Sequence, residues 1–338
     1  MNRIYTPERN YKVLAICMTY NQSKYIVDAL NGFAIQKTGF PFVCLILDDA
    51  STDGEQDVIK AWMDRECDMV AAQYEEIEDA HIIIVPHLTN KNCTFVVYFL
   101  KKNLFNNPRK VELMKPWRDV CEYEALCEGD DYWICASKLQ KQVDYLDSHP
   151  DCSCCVHEYE EFLESSHSFK EHQLYYLRDF VGEGIIISLS MFCEGIFCTK
   201  TLTAIYRIHY LQKSKYQLYQ YQFDMVMFYA LATQGYIYLM NDTMGVYRIN
   251  KGGITNKSAF HKASQYQMFN LASVENTHYS RMFAYNYIKK SILSMFLGDF
   301  NIFFMTAKYL GNKYTFLLMF KDLPSEVFRI IQSKYFCC

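Results

Sequence analysis

"VLAICMTYNQSKYIVDALNGFAIQKTGFPFVCLIL" (residues 13–47) sets the first structural expectation. It begins with "VLAICMTY" (13–20), an almost wholly apolar run that is typical of a strand buried on both faces of a parallel sheet. Apolar residues then recur at helical spacing from Tyr25 to Phe33, and "FVCLIL" (42–47) reads as a second buried strand. The stretch therefore predicts a strand–helix–strand unit.

The same alternation continues along the chain. A second helix is predicted around Ile59 and Trp62, and "HIIIVP" (81–86) is predicted as the third strand. Residues 88–120 are predicted as a helix and a loop, and "EYEALC" (122–127) as the next strand. Strands that alternate with helices predict an α/β fold with a mostly parallel, doubly wound sheet flanked by helices.

The later part of the chain changes character. A helix is predicted over 222–234, with short strands at 236–240 and 245–248, and the pattern is helical from 262 onward. The sequence indicates a domain boundary after "NKGGIT", near residue 255. We therefore expect a domain over 1–255 and a helical C-terminal region over 256–338.

Composition excludes several classes of protein. The 338 residues are 51% hydrophobic and 21% charged, as in globular proteins, and the net charge of -4 argues against a nucleic-acid partner. The first residues have no apolar signal core, and no run reaches about 18 apolar residues, the length that a membrane span needs. The 14 cysteines are then expected to be reduced thiols, and the protein to be cytoplasmic.

Carboxylates follow two of the predicted strands. Asp48 and Asp49 come after the second strand, and Glu128, Asp130 and Asp131 come after the fourth. The carboxyl ends of parallel strands share one edge of a sheet, where ligands bind in open α/β folds. Oxygen ligands suit Mg²⁺ or Mn²⁺, so a divalent cation is expected among these acids.

Three short motifs carry a resemblance to a known family. "TYN" (19–21), "DDASTDG" (48–54) and "EGDDYW" (128–133) occur in this order and spacing. The chain resembles the family 2 glycosyltransferases over roughly residues 10–255, and most closely the bacterial members that build capsule or lipopolysaccharide O-antigen chains. The resemblance implies a GT-A fold, which is Rossmann-like and binds a nucleotide sugar.

The resemblance also implies roles for the residues after the first two strands. Thr19, Tyr20 and Asn21 would touch the nucleotide. An acid after the second strand would hydrogen-bond the base or the ribose, and the sequence does not separate Asp48 from Asp49 for this role.

The family's D-x-D motif corresponds to Glu128-Gly129-Asp130 in this chain. Asp130 would bind Mn²⁺ or Mg²⁺ on the diphosphate. Glu128 departs from the usual Asp but stays acidic, so it would face the ribose or a metal-bound water. Asp131 is the adjacent acid that many members have.

Two later residues complete the predicted site. Asp224 matches the place of the family's catalytic base, which implies inversion at the anomeric carbon; the alternative is an ordinary acid at a helix N-terminus. Arg248 would contact the diphosphate or the acceptor, or pair with a neighbouring acid. Asn250 stands where relatives often have His.

These motifs favour an inverting transferase that moves a sugar from a nucleotide-diphosphate sugar, with UDP as the commonest nucleotide, to a saccharide or polyprenyl-linked saccharide. A nucleotide-sugar-binding protein without turnover is the alternative, and a two-carboxylate glycoside hydrolase is a weaker one. The apolar tail at 291–320 is either a helical subdomain or a peripheral contact with the cytoplasmic face of the inner membrane.

Overall fold

The protein combines one large sheet with flanking helices. The structure, a computed structural model, describes residue 7 and residues 10–105, 107–170, 182–195, 200–219, 224–250, 258–289 and 308–317. The strands in these residues are β1 Tyr11–Thr19, β2 Phe42–Asp48, β3 Gln73–Glu76, β4 Ala80–Pro86, β5 Cys93–Leu100, β6 Cys121–Leu126, β7 Tyr132–Trp133, β8 Cys152–Leu163, β9 Ser168–Lys170, β10 Gly184–Ile187, β11 Ile205–Arg207 and β12 Tyr236–Ile249. The helices are α1 Ile26–Ala34, α2 Glu55–Glu66, α3 Arg109–Arg118, α4 Lys138–Ser148, α5 Leu189–Glu194, α6 Ile208–Lys213, α7 Asp224–Ala232, α8 Ser258–Glu275, α9 His278–Lys289 and α10 Asn312–Leu317.

The centre of the sheet is parallel. The strand order is β10-β12-β8-β11-β6-β1-β2-β5-β4-β3, with β7 beside β12 and β9 beside β8. Strands β6, β1, β2 and β5 run parallel, while β11 and β4 extend this group on its two sides as antiparallel strands. The predicted α/β, GT-A-type fold class is confirmed, and the described residues after the predicted boundary at 255 contain the helices α8, α9 and α10.

One predicted element is wrong. Residues 93–100, "CTFVVYFL", form β5 rather than part of a helix, and every residue of this strand is buried. A run that is apolar throughout fits a buried helix as well as a buried strand, so periodicity alone does not separate the two. Because β5 takes the parallel place beside β2, the predicted third strand, β4, becomes an antiparallel neighbour farther out.

Two other differences concern length and number. The strands predicted at 236–240 and 245–248 are one continuous strand, β12, and the short strand β3 was not predicted. β3 is largely exposed at the edge of the sheet, so it lacks the apolar alternation by which strands are recognised.

Helices cover both faces of the parallel strands. On one face Leu14 of β1 and Val43 of β2 belong to a buried cluster that includes Leu113 and Trp117 of α3. On the other face Trp62 of α2 packs edge-to-face on Phe95 of β5, with ring centroids 4.9 Å apart. The parallel strands are therefore buried on both sides, as their continuous apolar sequences predicted.

The described residues divide into two compact units. The first unit holds the sheet and consists of the described residues up to Ile186 together with 200–210 and 237–250. The second unit consists of 187–195, 211–219, 224–236, 258–289 and 308–317. It therefore includes segments that precede the predicted boundary at residue 255, because chain order alone does not reveal which segments pack together.

The second unit is helical and rich in aromatic contacts. The ring of Phe283 in α9 stacks on Phe192 of α5 at 5.2 Å and on Tyr229 of α7 at 5.1 Å. Asn286 Nδ2 donates to the carbonyl of Cys193 at 2.8 Å. The predicted tail at 291–320 lies outside the described residues, apart from 308–317.

No helix in the described ranges is both long enough and apolar enough to cross a membrane.

Candidate functional site

The predicted acidic strand ends lie on one edge of the sheet. Strands β6, β1 and β2 are neighbours, and Thr19 at the end of β1 pairs with Asp48 at the end of β2. Past the end of β6, the N–H of Gly129 approaches the carbonyl of Met18 at 3.4 Å. The acidic loop of residues 128–131 and the turns after β1 and β2 therefore form one continuous surface, which we call the rim.

The turn after β1 is built around Asn21. Asn21 has a φ of 56°, in the left-handed region that Asn tolerates better than most residues. Its backbone N–H donates to Ser51 Oγ at 2.9 Å, and its side-chain oxygen accepts from the N–H of Thr52 at 2.8 Å. Asn21 thus ties the β1 turn to the β2 turn, while the neighbouring Tyr20 is 47% exposed on the rim.

Glu55 was not singled out from the sequence, yet it joins both turns from beneath. It is fully buried, and its carboxyl group contacts Thr19 Oγ1, the N–H of Gln22 at 2.8 Å and Ser51 Oγ at 2.9 Å. Burial raises the pKa of Glu55, and the nearby charge of Asp48 raises it further. In sequence, Glu55 looks like an ordinary acid in the first turn of a helix, so no local signal predicted its burial.

The structure separates Asp48 from Asp49. Asp48 Oδ1 accepts from the N–H of Ser51 at 3.1 Å and from Gln56 Nε2 at 2.7 Å. Asp49 instead accepts from the N–H of Leu104 at 2.6 Å and forms an ion pair with Lys110 at 2.9 Å. Asp48 is therefore held by neutral donors, whereas Asp49 anchors the segment after β5.

The acidic loop packs closely on the β1 turn. A Cβ at Gly129 would collide with Thr19 Oγ1 and with Gln22 Oε1, so this position requires glycine. Glu128, one residue earlier, is exposed. The loop therefore fixes its backbone against β1 and presents Glu128 outward.

Asp130 and Asp131 have different environments. Asp130 is half-buried and accepts a hydrogen bond from Asn250 Nδ2 at 2.9 Å. Burial raises its pKa, although Asn250 and the Gln22 side chain act in the opposite direction. Asp131 is buried and accepts from the N–H of Arg248 at 2.8 Å. Burial and the charge of Asp130 raise the pKa of Asp131 well above its usual range.

Arg248 forms the pairing that was one of its two predicted roles. Its Nε donates to the carbonyl of Asp130 at 2.8 Å, and its two terminal nitrogens bind Glu164 at 2.6 Å and Asp28 at 2.7 Å. The guanidinium lies 4.7 Å from the ring centroid of Tyr25, at a cation–π distance. It thereby connects α1, β12 and the end of β8 to the acidic loop.

Asp224 belongs to the second compact unit. It is the first residue of α7 and is exposed. Its proposed role as a base therefore rests on the sequence resemblance and on the exposure of its carboxylate.

Solved structures share this fold. The chain aligns with Staphylococcus aureus TarS residues 1–349 with a TM-score of 0.58 and 14% sequence identity, covering 95% of this chain and 92% of that one. The structure of the same protein in complex with UDP-GlcNAc aligns with a TM-score of 0.58 and 16% identity, over 91% of this chain and 81% of that one. At this level of identity the likeness shows a common fold.

Sequence relatives cover part of the chain. The uncharacterized proteins Mb1547 of Mycobacterium bovis and Rv1520 of Mycobacterium tuberculosis are 38% identical over 142 residues, which is 42% of this chain. The matched part spans 33% of the length of each of these relatives. No family model matches the chain.

Proposed function

We propose that the protein is an inverting, metal-dependent glycosyltransferase that moves a sugar from a nucleotide-diphosphate sugar to a saccharide or lipid-linked saccharide acceptor. The observation that carries the proposal is the meeting of the acidic loop with the β1 and β2 turns at the carboxyl edge of the parallel strands. Ligands bind at this edge in open α/β sheets. The common fold with TarS, which was crystallised with UDP-GlcNAc, supports the choice of donor.

The nucleotide is assigned to the turns after β1 and β2. Tyr20 offers an exposed aromatic ring on which a base can stack. Asp48 is our choice for the contact with base or ribose, because rotation of the neutral Gln56 side chain would release one of its oxygens. Asp49 is already bound to Lys110, and Asn21 and Thr19 shape the turn.

The acidic loop fits a hard divalent cation such as Mn²⁺ or Mg²⁺. Within the described ranges, no group of three or more His, Cys, Asp or Glu side chains is arranged so that it could hold a metal ion by itself. Mg²⁺ commonly binds through one or two carboxylates and completes its shell with phosphate oxygens and water. Asp130, with Glu128 beside it, is such a ligand set, and a nearby cation would favour the charged form of Asp130, which burial disfavours. When bound, the cation would neutralise the charge that develops on the leaving diphosphate.

Three further residues have roles in the proposed reaction. Arg248 holds the loop in place, and Asp131 accepts the Arg248 N–H, so we assign both to positioning rather than to direct contact with the diphosphate. Asp224 takes the proton of the acceptor hydroxyl. The acceptor oxygen then bonds to the anomeric carbon from the side opposite the breaking bond to the diphosphate, which inverts the configuration at that carbon.

The resemblance to capsule and O-antigen enzymes favours an acceptor in surface-polysaccharide assembly, met on the cytoplasmic face of the inner membrane. Comparing free and polyprenyl-linked saccharides as acceptors tests this assignment. Equal use of both, with no sedimentation of the protein on anionic vesicles, would contradict a membrane-bound acceptor.

The experiment that tests the activity is nucleotide release from a panel of nucleotide sugars, with Mn²⁺ or with EDTA. We expect metal-dependent release from one donor, and we expect Asp130→Ala to abolish it. Binding of a donor to the wild type with no release and no transfer to any saccharide acceptor would instead favour a binding protein without turnover.

Asp224→Asn tests the base. We expect it to keep donor-induced thermal stabilisation while transfer to the acceptor falls about 100-fold or more. The matched control is Asp57→Asn, because Asp57 is also an exposed acid in the first turn of a helix. Equal transfer by the two variants would remove Asp224 from the mechanism.

A further inference from the structure

The contacts around Thr19 require more protons than its own hydroxyl supplies. Thr19 Oγ1 lies 2.8 Å from Gln22 Oε1 and also contacts Glu55 Oε1. Both partners are acceptors when Glu55 is ionised, and a threonine hydroxyl has a single proton to donate. One of the two contacts therefore needs a second proton or a different orientation of the Gln22 amide.

The orientation of the Gln22 amide is given by the atom that faces Thr19. Its oxygen Oε1 lies 2.8 Å from Thr19 Oγ1 and beside Gly129, and the Gln22 side chain lowers the pKa of Asp130, as a donor does, so we place the amide nitrogen on the side of Asp130. The amide oxygen then faces Thr19 and accepts the only hydroxyl proton. The remaining contact, between Glu55 Oε1 and Thr19 Oγ1, is satisfied when Glu55 itself carries a proton.

The other oxygen of Glu55 is consistent with this arrangement. Oε2 accepts from the N–H of Gln22 at 2.8 Å and from Ser51 Oγ at 2.9 Å, while Oε1 has Thr19 as its single hydrogen-bond partner within the part of the chain that the structure describes. A proton on Oε1 thus has an acceptor in place, and Oε2 keeps both of its donors.

We propose that Glu55 is a neutral carboxylic acid in the folded protein and that it acts through Thr19 to aim the Gln22 amide at Asp130. The chain of donors runs from Glu55 O–H to Thr19, from the Thr19 hydroxyl to Gln22, and from the Gln22 amide to Asp130. Glu55 is thereby a positioning residue for the acidic loop.

The surroundings of Glu55 favour the neutral form. The titratable groups around it are the carboxylate of Asp48 at the end of β2, the carboxylate of Asp53, which accepts the Glu55 N–H, and the thiol of Cys17 in β1. The charge of Asp48 opposes a second negative charge on Glu55, whereas burial raises the pKa of the Cys17 thiol well above its usual range and keeps the thiol neutral. Burial acts in the same direction and raises the pKa of Glu55.

The protonation state can be measured without any substrate. In protein labelled with ¹³C at glutamate side-chain carboxyls, Glu55→Gln identifies the Glu55 resonance by its loss. We expect this resonance to have the chemical shift of a carboxylic acid at pH 7. Glu124 is the matched control, because it is equally buried but forms an ion pair with the Arg118 guanidinium at 2.5 and 2.9 Å. An ionised Glu55 at pH 7 would overturn the proposal.

A second variant protects the experiment against misfolding. Thr19→Val keeps the shape of the side chain and leaves the Glu55 carboxyl in place, so it should shift the Glu55 resonance even if Glu55→Gln does not fold. If neither the Glu55 resonance nor its titration responds to the loss of the Thr19 hydroxyl, the donor chain does not exist.

The positioning role rests on the proposed function and is tested separately by donor affinity. Glu55→Leu should weaken metal-dependent donor binding about tenfold, because Thr19 and the Gln22 N–H lose their partner. Glu55→Gln, whose amide can donate to Thr19, should restore most of this affinity. If Glu55→Gln is as weak as Glu55→Leu, a carboxylate is needed and the neutral-acid proposal is wrong. If the wild type binds no donor, the proposed function fails while the carboxyl measurement still stands.

Discussion

Lys138 is a fully buried lysine at the first residue of α4, close behind the acidic loop. Its ammonium group lies 4.2 Å from the ring centroid of Trp133 and donates to Gln142 Oε1 at 2.8 Å. The leading groups that act on its charge are thiols, first Cys127 and Cys155, and burial raises their own pKa values, so they remain neutral. Burial without a counter-charge lowers the pKa of Lys138 from 10.5 to about 7.

This shift makes the free energy of unfolding depend on pH. The unfolded chain keeps Lys138 protonated up to about pH 10.5, whereas the folded protein releases this proton near pH 7. Between these values the unfolded state binds more protons, so stability rises with pH. At about 1.36 kcal/mol per pKa unit, the buried lysine costs about 4 kcal/mol at pH 7 and about 2 kcal/mol at pH 9.

Lys138→Met removes this cost but leaves Gln142 Oε1 without its donor, which costs about 2 kcal/mol. We therefore expect the variant to be about 2 kcal/mol more stable than the wild type at pH 7 and equally stable at pH 9. The measurement is urea unfolding of both proteins at pH 7, 8 and 9 with a reductant present, and the quantity compared is the difference in free energy of unfolding.

Lys141→Met is the matched control on the same helix. The Lys141 side chain is 45% exposed, and its hydrogen bond to Asp242 raises its pKa. The stability that Lys141 contributes is therefore constant between pH 7 and 9, and its variant should differ from the wild type by the same amount at each pH. If the Lys138→Met difference is also constant over this range, Lys138 is charged in the folded protein and the reasoning is refuted.

Three further predictions follow from the rim. Gly129→Ala should reduce metal-dependent nucleotide release at least about tenfold, because the added Cβ has no room. The control is Gly39→Ala, whose Cβ would meet its nearest atom at 3.7 Å and which should match the wild type. Equal activity of the two variants would contradict the close packing of the loop. Arg248→Lys should weaken Mn²⁺ binding in the presence of donor about tenfold, because one ammonium group cannot reproduce the three directed hydrogen bonds of the guanidinium. Unchanged Mn²⁺ affinity would exclude the positioning role of Arg248. Lys110→Met should destabilise the fold by about 3 kcal/mol, as it leaves Asp49 buried without its cation, and double substitution with Asp49→Asn should recover part of this loss in urea unfolding.

The elements that were predicted correctly share a local cause. β1 and β2 are buried on both faces and therefore almost wholly apolar, and α1 shows helical spacing of apolar residues along its nine residues. β5 was misassigned because an eight-residue apolar run satisfies both interpretations. The shared edge of the acidic strand ends was predicted because parallel strands all point their carboxyl ends the same way.

The connections within the candidate site were less accessible to sequence reasoning. Arg248 could be assigned to an acid or to a phosphate, and its partners turned out to be Asp28 and Glu164, which are far away in sequence. In the sequence, Glu55 resembles a solvated acid in the first turn of a helix, whereas in the structure the β1 and β2 turns pack over it and bury it. Neither outcome follows from residue type, because a charged side chain is recognised as buried only when its surroundings are known.

The amino-acid sequence alone determined the α/β class, the apolar strands of the parallel centre and the acidic and polar character of the turns that follow them. These features depend on periodicity and residue type within about ten neighbouring positions, so they can be predicted from the local sequence. The tertiary structure determined the neighbour of β2, the separate environments of Asp48 and Asp49, and the contacts of the buried Glu55 with both turns. These depend on contacts between residues that lie tens of positions apart, and burial and electrostatics take their values only when those contacts form.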